Sequence, residues 1–83
     1  DKRLAEQVCH FMREVRQQKL EKIPGVAETL DWATALVSLH RTHLDKEIVE
    51  QTLGTILKDW HDTRHLQDSL SELLEKTGVT SKL

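Results

Sequence analysis

Two runs of apolar residues, one near each end of the chain, constrain its fold more than any other feature. Leu4, Val8, Phe11, Met12 and Val15 fall at i, i+4, i+7, i+8 and i+11. Leu66, Leu70, Leu73 and Leu74 follow at i, i+4, i+7 and i+8. That spacing gathers each set on one side of an α-helix and would scatter it over both faces of a strand. Strand chemistry is scarce as well: Tyr is absent, and the only aromatic residues are Phe11, Trp32 and Trp60. The expectation is an all-α fold, a small bundle of about four helices. The chain's 83 residues leave room for one domain, taken as residues 1–83.

The first helix should run to about Leu20, where Pro24-Gly25 then breaks the chain. The second segment, about Ala27 to His40, differs in kind. Leu30, Trp32, Ala33, Ala35, Leu36, Val37 and Leu39 leave it little polar surface. A helix apolar on most sides is expected at the centre of a bundle, touched by several neighbours. Trp32 and Leu36 read most simply as core, and Glu28 and Asp31 lie in the first turns, where acidic groups complement the helix dipole.

Arg41 to Leu44 form a connector, and Asp45 is a suitable N-cap for a third helix, with Leu44 placed to staple onto Val49. Val49, Leu53, Ile56, Leu57 and Trp60 form one stripe, interrupted by Gly54, which hints at close helix packing. No Pro or Gly separates Trp60 to Thr63 from what precedes, so a turn there and one long continuous helix are both open. A last helix ends near Lys76, with Gly78 as the stop.

Composition excludes several function classes. Twelve basic and 14 acidic residues show no basic excess, and Glu6, Glu14 and Glu21 interleave with the cations between Lys2 and Lys22. A nucleic-acid partner is therefore not expected. No apolar run is long enough for a membrane span, so no membrane partner is expected either. Cys9 is the sole cysteine; no internal disulfide is possible, and a reducing, cytoplasmic setting is expected. The chain opens on Asp1, as a piece of a longer protein would. It closes on Ser81-Lys82-Leu83, which matches a peroxisomal address but also ends helical proteins by chance.

Chemistry-bearing residues are few. His61 and His65 stand at i, i+4 with Asp62 between them, a partial likeness to H-E-x-x-H, but the glutamate base and a third ligand are missing. They read as exposed polar residues, as do His40 and His43 beside the connector and His10 at a helix edge. Cys9, mid-helix beside the apolar stripe, reads as a buried structural thiol rather than a nucleophile. No phosphate loop of the form G-x-x-x-x-G-K-[ST] occurs. The expected catalytic set is empty, as is the metal set.

The segment Pro24 to Leu36, P-G-V-A-E-T-L-D-W-A-T-A-L, resembles a block of MoxR-like AAA+ ATPases, most closely the subgroup associated with carbon monoxide dehydrogenase gene clusters. The flanks V-C-H-F-M-R-E-V-R and L-D-K-E-I-V-E-Q-T-L-G-T-I-L-K fit as well, so the resemblance covers roughly residues 4 to 62. It implies that the chain is the C-terminal helical lid of a chaperone-like ATPase that remodels or activates a protein partner. ATP and Mg would bind the α/β core of the full-length parent, with no cofactor for the lid alone. The implied partners are that AAA+ core, neighbouring subunits of a ring, and a von Willebrand factor A-type protein. The resemblance places Gly25, Glu28 and Thr29 near the nucleotide in the full-length protein. Many relatives read G-A-S-P-R-A here, with an arginine on the γ-phosphate; this chain has Thr29 at that place, and a neutral hydroxyl cannot replace a charged fork. The rival expectation is a free-standing helical adaptor that binds a partner helix in an apolar groove, using the leucines of the last helix.

Overall fold

In the computed structural model, which describes residues 2–78, the chain forms four α-helices and no strand among those residues. They are α1 (Lys2–Arg16), α2 (Val26–Ser38), α3 (Lys46–Ile56) and α4 (Trp60–Lys76). The Ser81-Lys82-Leu83 tripeptide lies outside the described residues. Packing follows chain order and then closes: α1 lies on α2, α2 on α3, α3 on α4, and α4 returns to α1. The fold is the expected small helical bundle.

The two terminal stripes behave as their spacing dictates. All five apolar residues of the α1 stripe and all four leucines of α4 are buried in one core. Val49, Leu53, Ile56 and Leu57 join them from α3 and its end, with Ile48 and Leu44 alongside. Asp45 caps α3, its Oδ1 accepting the Ile48 N–H at 2.9 Å, while Leu44 and Val49 on either side of the cap are both buried. The Leu44 N–H is satisfied across the bundle by Gln7 Oε1 of α1, at 2.6 Å.

Trp60 departs from the α3 stripe. The helix stops at Ile56, and Leu57 turns into extended backbone. Asp59 then starts α4, its carboxylate accepting the N–H groups of His61 and Asp62. An aspartate cap thus makes the break without Pro or Gly. Trp60 becomes the first residue of α4 and stands 66% exposed, with the Arg64 guanidinium 5.5 Å from its ring centre. Gly54 likewise marks no close packing: a Cβ placed on it would meet nothing within 4 Å.

The expected central position of α2 is also corrected. It touches two neighbours, as every other helix does, and buries only Trp32 and Leu36. Trp32 sits in the core, its ring 5.4 Å from that of Phe11 and tilted by 48°. Its Nε1–H donates to Thr52 Oγ1 at 2.7 Å, and that hydroxyl donates on to the Ile48 carbonyl at 2.7 Å. A helix of 13 residues flanked by α1 and α3 can cover one side only, so its remaining apolar residues face outward. At its C-terminus His40 adopts φ 60°, and the N–H groups of His40 and Arg41 reach back to the carbonyls of Val37 and Leu36. This is the Schellman closure, here with histidine in the left-handed position that glycine usually takes.

Candidate functional site

The residues that the resemblance marks, Gly25, Glu28 and Thr29, all lie at the start of α2, and the structure brings them together. Pro24 is buried and holds the chain end-on to the helix, and Gly25 is the N-cap in extended backbone. Glu28, three residues into the helix, folds back so that its Oε1 accepts the Gly25 N–H at 2.9 Å. This is the glutamate half of a capping box; glycine has no side chain to return the other half. Thr29 donates its hydroxyl to the Gly25 carbonyl at 2.9 Å and accepts a bond from Arg16 Nη2 at 2.8 Å. The Arg16 Nε–H also reaches the Pro24 carbonyl, at 3.3 Å. The end of α1 is thereby clamped to the start of α2.

The electrostatics follow from these bonds. The N–H of Gly25, and then that of Glu28 itself, hold the Glu28 carboxyl below its ordinary value of 4.5. Partial desolvation opposes them, and Lys58 adds a smaller push downward. A helix N-terminus offers an anion site because its N–H groups point at the ligand. Here the protein's own carboxylate fills that place. The residues present therefore do not form a phosphate cradle: a triphosphate would meet Glu28, and the nearby cation, Arg16, is engaged with Thr29 and Pro24.

The other candidates are dispersed. His61 stacks edge-on against Trp60 at 5.2 Å between ring centres, whereas His65 Nε2 lies 3.4 Å from Gln18 Oε1; both are exposed. Among the described residues no group of three or more His, Cys, Asp or Glu side chains converges as metal ligands would. Cys9 is exposed, which corrects the expectation of a buried thiol. It sits on the outer edge of the α1 stripe, one position too far round the helix to be covered.

Sequence reasoning missed Asp62. Its carboxylate is buried and accepts the Glu21 N–H at 2.7 Å and the Lys22 N–H at 2.9 Å, pinning the α1–α2 loop to α4. The only available signal was a lone acid within an α4 start that is otherwise polar, which does not disclose a partner forty residues away.

Sequence reasoning also missed an exposed apolar row on α2. Val26, Leu30 and Val37 stand 72%, 61% and 60% exposed. With Ala33 they fall at i, i+4, i+7 and i+11 along α2, a second apolar stripe turned away from the core. Scattered exposed apolar residues are ordinary, whereas a row aligned on one helix face is a candidate contact surface. Beside the row, α1 and α2 enclose an apolar groove of about 210 Å³ that Leu4, Val8 and Cys9 wall from the other side. The apolar surface expected on the last helix is on the second instead, because every α4 leucine is buried. Compared with protein-family models, curated proteins and solved structures, the chain shows no match.

Proposed function

We propose that this chain is the helical lid of a MoxR-like AAA+ ATPase, working by docking and not by chemistry of its own. The observation that carries this reading is the exposed row Val26, Leu30, Ala33 and Val37, which begins one residue after Gly25. A lid packed on a larger body leaves such a face uncovered when described alone. Covering the three large members would contribute roughly 1–2 kcal/mol each, given their present exposure. The block Pro24 to Leu36, which carries the resemblance, contains this same row.

On this reading the AAA+ core of the same polypeptide supplies ATP and Mg binding, and the chain relays the nucleotide state to a neighbouring ring subunit. A von Willebrand factor A-type protein would be a further partner of the assembly. The Glu28 cap fits a lid that moves with the nucleotide rather than sensing its phosphate, since Gly25, Glu28 and Thr29 satisfy one another and Arg16. The cytoplasmic setting belongs to the same proposal; among the described residues no helix is long and apolar enough to cross a membrane.

The second reading, a free-standing adaptor, uses the same α2 face for a separate protein. The gene separates the two. A lid requires a reading frame upstream of Asp1 that encodes G-x-x-x-x-G-K-[ST]. An initiator methionine directly before Asp1 would overturn the lid and leave the adaptor.

A further inference from the structure

We infer that the α1–α2 groove receives an amphipathic helix with an acidic flank. This rests on α2 being a docking face, as both readings above require, and not on the ATPase setting. The groove's size sets the class of occupant. At about 210 Å³ it falls below the roughly 300 Å³ at which small-molecule sites begin, and it suits one or two aliphatic side chains. The row Val26, Leu30, Ala33 and Val37 repeats the anchor spacing with which a partner helix presents its own apolar residues.

The charge around the groove chooses among helices. On the α1 side Cys9, Arg13 and Arg16 stand at i, i+4 and i+7, and Lys2 lies seven residues before Cys9, so three exposed cations follow one edge. Lys2 and Arg13 carry no ion pair among the described residues. Glu6, four residues after Lys2 and seven before Arg13, shares this edge and offsets one of the three cations, which leaves the edge net positive. The outer side of α2 is nearly neutral: Ala27, Thr34 and Ser38 are small, and Asp31 is its one charge. A helix laid in the groove therefore meets positive potential along α1 and almost none along α2. Acidic residues on the α1-facing flank satisfy it, while basic residues there are repelled.

A second copy of this chain is a poorer occupant. It would bring the same cationic edge, and α2 is only about 20 Å long and 10 Å wide, or some 200 Å² of face. Stable dimers bury about 800 Å² per partner. The groove is helix-sized, not domain-sized.

The test uses the 83-residue chain and two stapled synthetic helices of about 14 residues, long enough to span α2. Both carry Leu at i, i+4, i+7 and i+11; one has Glu along a single flank, the other Lys at the same positions. Fluorescence anisotropy should show the acidic helix binding about tenfold or more tightly than the basic one. That margin should close with the Lys2→Glu/Arg13→Glu chain and with high salt. Leu30→Glu should abolish binding while leaving the thermal melt in place, because Leu30 contributes little to the core. Equal affinity for the two helices, binding that survives Leu30→Glu, no binding at about millimolar helix, or a dimer dissolved by Leu30→Glu would each overturn the inference. The lid reading fails separately: an initiator methionine before Asp1 sinks it and leaves this binding intact, whereas a phosphate loop upstream with no helix binding does the reverse.

Discussion

Replacing Thr52 by Val keeps the shape of a buried side chain and deletes one hydroxyl. In the folded chain that hydroxyl is the sole acceptor for the Trp32 indole N–H, at 2.7 Å, in a core where Trp32 is fully buried. The valine methyl cannot accept, and the water that could solvate the indole has no way in. The Ile48 carbonyl also loses its bond from Thr52, but as a helical acceptor it keeps its backbone partner. One orphaned buried donor costs about 1–3 kcal/mol. For a chain of this size each kcal/mol moves the melting midpoint by about 4–8 °C, so Thr52→Val should lower Tm by roughly 5–20 °C. Trp32→Phe removes the donor itself, along with the larger ring stacked near Phe11, and should cost about 2–4 kcal/mol. The combination is the informative measurement. Once the indole N–H is gone, Thr52→Val orphans nothing, so the double variant should be less destabilised than the sum of the singles by about 1 kcal/mol or more. Urea denaturation of the four proteins, followed by circular dichroism, closes the cycle. Strict additivity, or a Thr52→Val cost below about 0.5 kcal/mol, would refute the claim that this bond ties α2 to α3.

Three other perturbations probe separate parts of the fold. Gly54→Ala should stabilise the chain by about 0.5–1 kcal/mol in the same denaturation assay, since the added methyl meets nothing within 4 Å and α3 gains helix propensity. Asp62→Ala should cost about 1–3 kcal/mol and speed amide exchange at Glu21 and Lys22, the two N–H groups it strands; an unchanged exchange rate would refute the pin. Glu28→Gln should fray the first turn of α2, with a sign that depends on pH. The Glu28 carboxyl titrates lower in the folded chain than in the unfolded one, so its contribution is complete above about 4.5 and is lost as pH falls through the lowered folded value. The gap in stability between the parent and Glu28→Gln chains should therefore narrow on acidification, and a gap that widened would contradict the cap.

The sequence disclosed different elements unequally, for physical reasons. A stripe with polar flanks has one way to be buried, so Leu4 to Val15 and Leu66 to Leu74 could be placed without knowing any partner. Asp45 could be read as a cap because its bond to Ile48 N–H is local. In α2 Trp32 and Leu36 could be read as core, and they are its two buried residues. The apolar residues nearly surround the axis, so the pattern gave no sign that Leu30 would stand 61% exposed on the other side. The α3–α4 break rested on Asp59, a residue equally at home on a helix surface. For the candidate site, Gly25, Glu28 and Thr29 were adjacent in sequence and proved adjacent in space. Arg16 and Asp62 act across 13 and about 40 residues, distances over which spacing carries no information.

The return of α4 to α1 has a consequence for how the chain comes into being. Its first helix packs against the last helix of the described residues, and the loop after α1 is held by Asp62 near the start of α4. During synthesis α1, α2 and α3 must wait with an open seam until α4 has left the ribosome. The exposed α2 row needs no such delay, since its residues lie on the surface from the outset. A nascent chain thus displays the exposed α2 row before it owns a closed core.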